Sequence, residues 1–131
     1  KAKREFIALD KDNIVVESYD NWMAELVVAE TNQGGDLVES VLRNIAPNLP
    51  IRKVRASRGK IVRAEPISTL YAQGRVHHVG FFEELENEMT SYTGDRCSED
   101  SPDRMDALVW ALTDLSTNVG FSTNQGELFF E

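Results

Sequence analysis

The sequence predicts an α/β fold. Short apolar runs alternate with stretches of helical periodicity, and the runs at 26–30 and 51–56 are separated by a helix-length segment. That segment is long enough for a crossover leaving the two strands parallel. The composition agrees: 131 residues, 41% hydrophobic and 27% charged, suit one globular domain with a core. No internal repeat or low-complexity tract interrupts it.

Residues 1–10 set Ala2, Phe6, Ile7 and Leu9 among charges, as a short amphipathic helix would, although FIALD also reads as a strand. From Ile14 to Met23 the pattern is divided: Ile14, Val15 and Val16 favour a strand, while Tyr19, Trp22 and Met23 suit a helical face. Leu26-Val27-Val28-Ala29 is a buried-strand run that ends at Glu30 and the turn-rich Thr31-Asn32-Gln33-Gly34-Gly35. Asp36 opens a helix with Leu37, Val38, Val41, Leu42 and Ile45 on one side, closed by Pro47 and Pro50. Residues 51–56 alternate apolar and basic, as a strand with one wet face does. Residues 60–73 read as helix, interrupted or restarted at Pro66, with Gly74 as its C-terminal cap. RVHHV is a short strand, and FFEELENEMTSY an acidic helix with Phe82, Leu85 and Met89 inward. Ser101 as N-cap, Pro102 at the first position and Asp103 in the first turn start the last helix. Its core stripe is Met105, Leu108, Val109, Leu112 and Leu115, and residues 116–131 read as an irregular tail.

The apolar runs are far too short for a transmembrane helix, and no signal-peptide pattern opens the chain. A single cysteine, Cys97, excludes an internal disulfide and a Cys-rich zinc cage, and suits a reducing intracellular setting. The 14 basic against 22 acidic residues give a net charge of −8, which on its face argues against a polyanion partner. The charge is not evenly spread, however: Arg52, Lys53, Arg55, Arg58, Lys60 and Arg63 fall together. Such local density is what phosphate contacts need, and a solvated face balancing nearby acids is the plainer alternative. The pattern of a Walker loop is missing.

Three acids draw notice. Glu30 ends a buried strand before a Gly-Gly turn, at the sheet edge where α/β proteins place ligands; an edge acid is also simply solvated. Asp103 and Asp106 are spaced i, i+3, on one helix face opposite the apolar stripe. Two carboxylates converging with a third suit a hard divalent cation, whereas an acid in a first helical turn is ordinary capping chemistry. His77 and His78 are adjacent on a strand and point to opposite faces, so they do not chelate one metal together. Trp22 and Trp110 read as core, and Cys97 lacks a histidine nearby in sequence for thiol chemistry.

The blocks VVAETNQGGDLVESVLR, VRASRGKIVRAEPISTLYAQGRVHHVG and SPDRMDALVWAL, in this order and spacing, resemble the C-terminal nuclease domain of tailed-bacteriophage large terminase subunits. The likeness runs from about Leu26 to Leu115. It implies an RNase H-like mixed sheet flanked by helices, and a metal-dependent endonuclease cutting concatemeric double-stranded viral DNA during packaging. By that resemblance Glu30 and Asp103 are metal ligands and catalytic residues, with Asp106 a further possible one. Mg²⁺ or Mn²⁺ suits carboxylate ligation better than Zn²⁺, in a two-metal hydrolysis. Lys60 and Arg58 are implied to bind or steer the DNA backbone, with Arg63 as a helper. The implied partners are DNA, the terminase small subunit, the portal and the ATPase motor domain, in the host cytoplasm or in a prophage-carrying cell, with no membrane.

The chain departs from the family in one respect. The family's first catalytic Asp lies on an opening strand well before the strand of Glu30, and too few residues precede Glu30 here for that strand and its successors. Either Asp10 stands in for it, or the chain begins after that strand as a truncated nuclease domain, expected to be inactive or to hold one metal weakly. Two other readings compete: another RNase H-like nuclease such as a resolvase, and a non-catalytic docking module whose acids are merely solvated.

Overall fold

The structure, a computed structural model, describes residues 13–31, 36–94, 101–118 and 128–130. The readings for residues 1–10, the Gly34-Gly35 turn and Cys97 lie outside them. The chain divides into two compact units, Lys1–Ser57 and Arg58–Glu131.

In the first unit the order is α1 (Asn13–Asn21), β1 (Val27–Glu30), α2 (Asp36–Ile45) and β2 (Ile51–Val54). The divided segment is helical. A helix sets the fully buried Val15 beside Val16 and Tyr19, against a core of Val27, Leu42 and Leu49, so packing overrides the strand preference of the valines. α1 ends in a Schellman motif, with Ala24 N–H donating to Tyr19 O at 3.0 Å and Met23 N–H to Asp20 O at 3.2 Å. Met23 takes the left-handed position, φ 50°.

β1 and β2 pair in parallel, Val27 with Ile51 through Glu30 with Val54, and α2 forms the expected crossover. Val27 and Ala29 are buried, while Val28 and Glu30 are only partly so. The apolar stripe of α2 is less complete than its periodicity suggests. Leu42 is buried, but Leu37, Val41 and Ile45 are exposed, because the core lies to one side of the stripe.

The second unit comprises α3 (Lys60–Ala72), β3 (Val76–His78), α4 (Glu83–Ser91), α5 (Asp103–Asn118) and β4 (Leu128–Phe130). α3 runs through Pro66 without a restart. Its C-terminus repeats the Schellman pattern: Arg75 N–H donates to Leu70 O, Gly74 N–H to Tyr71 O, and Gly74 supplies φ 65°. α5 packs against both α3 and α4. The core joins Ile67, Val76, Val109 and Leu112, flanked by Ala64, Leu70, Tyr71 and Leu108.

One expectation is corrected. Residues 116–131 are not wholly irregular: α5 continues to Asn118, and Leu128–Phe130 pairs in parallel with β3. Three apolar residues were too short a run to signal a strand without the partner that gives them hydrogen bonds. The α/β class holds, and among the described residues β1 pairs with β2 and β3 with β4, each in parallel.

Candidate functional site

α5 begins one residue later than its capping signature implies. Pro102 O accepts the first helical bond, from Asp106 N–H at 2.9 Å, so Pro102 rather than Ser101 holds the cap position. Ser101 is thereby released for side-chain chemistry. Its hydroxyl donates to Asp103 Oδ1 at 2.6 Å and accepts from Lys60 Nζ at 2.7 Å.

Four charged residues then meet between the first turns of α3 and α5. Lys60 Nζ stands 3.1 Å from Asp103 Oδ1 and 3.6 Å from Asp106 Oδ2. Arg63, one turn along α3, donates to Asp106 Oδ1 at 2.7 Å. It also donates to Arg58 O, and its guanidinium lies 4.9 Å from the Trp110 ring centroid. The i, i+3 spacing on each helix brings the pairs into register. It does not set both acids opposite the apolar stripe: the Asp103 side chain is 78% exposed, that of Asp106 only 10%. The reason is angular. Residue 106 follows Met105 by about 100° and lies at the border of the buried face, where Arg63 satisfies it.

The Asp103 carboxyl is held below its ordinary range, first by the Ser101 hydroxyl and then by the Lys60 ammonium. Arg63 is turned inward, its side chain 12% exposed, so it serves Asp106 and Trp110 rather than solvent. Arg58 is exposed at the entry to α3. Trp110, read from sequence as core, is only partly buried and supports that guanidinium.

Sequence reasoning missed Glu88. Its carboxylate accepts Met105 N–H at 2.9 Å and meets Arg104, tying α4 to the first turn of α5. Its only sequence signal was an acid within an acidic helix. A second polar chain also went unread. His78 Nδ1 lies 3.0 Å from Glu86 Oε1, and because a carboxylate only accepts, Nδ1 donates. Tyr71 Oη completes the chain at Nε2, 2.8 Å away, and Phe82 stacks edge-on against the imidazole. Burial, and secondarily Glu86, pushes the Tyr71 hydroxyl up to about 12.

Glu30 belongs to the first unit, at the carboxyl end of β1. There Thr31 N–H and Oγ1 both donate to Val54 O, at 2.7 and 3.2 Å, which fixes the backbone following Glu30. The basic cluster is shared between the units: Arg52, Lys53 and Arg55 in the first, Arg58, Lys60 and Arg63 in the second. Lys53 pairs with Glu39 at 2.7 Å. Asp10 lies outside the described residues.

A hard divalent cation needs oxygen donors that converge on one point. Asp103 Oδ1 and Asp106 Oδ2 do converge, since one ammonium reaches both, and Arg63 takes the other Asp106 oxygen. In type and charge these oxygens suit such an ion. Among the described residues no group of three or more His, Cys, Asp or Glu side chains gathers at one metal position, and what α5 brings here is its two first-turn carboxylates, Asp103 and Asp106.

Comparison with protein-family models gives a match, described as a terminase RNaseH-like domain, over residues 8–115. No curated protein and no solved structure matches the chain. The matched span contains Glu30, the first-turn carboxylates Asp103 and Asp106 of α5, and the basic residues of α3.

Proposed function

This chain belongs to the terminase RNase H-like domain family, and from that premise we propose that it is the divalent-metal-dependent endonuclease part of a DNA-packaging terminase, acting on concatemeric double-stranded DNA. The observation that carries the proposal is the convergence of Asp103 Oδ1 and Asp106 Oδ2 on one cation position within the matched span.

In this reading Asp103 and Asp106 hold Mg²⁺ or Mn²⁺. The resemblance adds Glu30 as a further ligand and leaves Asp10 as the candidate for the family's first catalytic acid. The ions, two in the full family mechanism, supply a water acidified for attack on phosphorus and charge stabilisation at the leaving 3′ oxygen. The protein's own residues do the rest. Arg63 aims Asp106 by holding one of its oxygens, and Ser101 orients Asp103 from the other side. Arg58, exposed at the start of the second unit, is placed to draw the phosphate backbone by charge. No residue pattern suggests base reading, so cutting is expected to be weakly sequence-specific. The expected partners are the terminase small subunit, the portal and the ATPase motor, in the cytoplasm of an infected or prophage-carrying cell.

A second reading, a non-catalytic docking module of the packaging motor, draws on one observation: Lys60 and Arg63 already neutralise both acids. Plasmid nicking in Mn²⁺ separates the two. The nuclease reading expects nicking abolished by EDTA and reduced at least a hundredfold by Asp103→Ala or Glu30→Ala. Nicking indifferent to EDTA and to both substitutions contradicts it.

A further inference from the structure

Lys60 has more oxygen around it than a surface ion pair requires. Its Nζ has Ser101 Oγ at 2.7 Å, Asp103 Oδ1 at 3.1 Å and Asp106 Oδ2 at 3.6 Å. The side chain is 26% exposed, although lysine ordinarily keeps its strongly hydrated head in water. Three oxygens, two of them anionic, have replaced part of that hydration shell. These are the donors a hard cation would use, and the remaining Asp106 oxygen is committed to Arg63.

A divalent ion and the Lys60 ammonium would compete for these oxygens. A divalent ion held by Asp103 Oδ1 and Asp106 Oδ2 would draw on the same two oxygens that the ammonium reaches at 3.1 and 3.6 Å. The like charges would also repel at short range in a partly desolvated place. Arg63, in contrast, approaches Asp106 from the far oxygen and can remain.

We propose that Lys60 is a tethered counter-ion that occupies the cation position of the acid pair, so that a divalent metal binds there only by displacing it. The lysine stem, with four rotatable carbons, lets the ammonium leave without moving α3. Without metal, the pair of acids is held in place and its repulsion is offset. With metal, the same acids are already oriented. Lys60 is a positioning residue that sets metal affinity. This inference rests on the reading of Asp103 and Asp106 as metal carboxylates.

The test is Mn²⁺ affinity of the full chain, read from the EPR signal of free Mn²⁺, for wild type, Lys60→Met, Lys60→Arg and Asp103→Asn. Lys60→Met is expected to bind Mn²⁺ roughly tenfold more tightly than wild type, because a competitor with several modest ion pairs has been removed. Lys60→Arg, which keeps a cation, gains far less. Circular dichroism checks folding, and Lys60→Gln makes the same comparison should Lys60→Met not fold. Equal affinity of wild type and Lys60→Met overturns the inference. If Asp103→Asn weakens that common affinity, the metal reading survives and only the role of Lys60 is lost. If Asp103→Asn leaves Mn²⁺ binding unchanged in every background, the metal reading falls and takes the inference with it.

Discussion

Arg63 holds the candidate site together through three different contacts. It pairs with a nearly buried carboxylate, donates to the Arg58 carbonyl and lies over Trp110. Removing it leaves Asp106 buried and uncompensated, so Arg63→Met is expected to cost about 3 kcal/mol in urea unfolding. Arg63→Lys recovers little of that, since one ammonium does not serve a carboxylate, a carbonyl and a ring face together. In the sequence Arg63 was one of six neighbouring basic residues, and the resemblance made it a helper to Lys60 and Arg58 on the DNA backbone. Spacing along one helix does not tell which side another helix will cover, and the inward turn of Arg63 is set by α5. Tyr71 makes a spectroscopic prediction at the same scale. Its hydroxyl is held neutral up to about 12, so the folded state binds its proton where the unfolded chain has lost it. Stability from this group is complete below pH 10 and is lost as pH rises from 10 to about 12. Absorbance at 295 nm should show one tyrosine ionising late, a component absent from Tyr71→Phe; normal ionisation of every tyrosine contradicts the burial.

At the level of elements, the ends of α1 and α3 are a matched pair. Both close with the same two hydrogen bonds and a left-handed residue, but one uses Met23 and the other Gly74. Glycine visits that region freely and methionine pays a steric penalty there. Met23 is 80% exposed and contributes little packing to offset it. Met23→Gly should therefore stabilise the chain by about 1 kcal/mol, and Gly74→Ala should destabilise it by about the same amount. Denaturant midpoints moving the same way for both variants would contradict the shared motif. The Gly74 cap was legible because glycine announces a positive φ. The Met23 cap was not, since nothing in a methionine signals one. α2, β1, β2 and the α5 stripe were legible from periodicity. The start of α5 was one residue off because Ser-Pro-Asp satisfies two capping registers, and only the bond from Asp106 N–H to Pro102 O chooses between them.

For the whole molecule, the net charge of −8 first argued against DNA. Its distribution is more informative than its sum. In α4 and α5, Arg104 reaches Glu84 at 2.6 Å and Glu88 at 3.3 Å, while Asp103 and Asp106 are met by Lys60 and Arg63. Part of the acidic excess is thus answered locally. DNA binding by the chain alone is expected to be weak and to fall steeply with salt. Family membership was legible because the SRGK and SPDRMDA blocks lie at the starts of α3 and α5, the two helices whose first turns build the charged cluster. The cluster's detailed wiring was not legible, because it depends on the pairing of residues about 40 positions apart. The proposed metal position is formed by Asp103 and Asp106, the first-turn carboxylates of α5. Crystals soaked in Mn²⁺ and measured at the manganese absorption edge test it most directly. An anomalous peak is expected within about 2.2 Å of Asp103 Oδ1 and Asp106 Oδ2, with the Lys60 ammonium moved away. A peak elsewhere, or none with Lys60 still bridging the two acids, contradicts it.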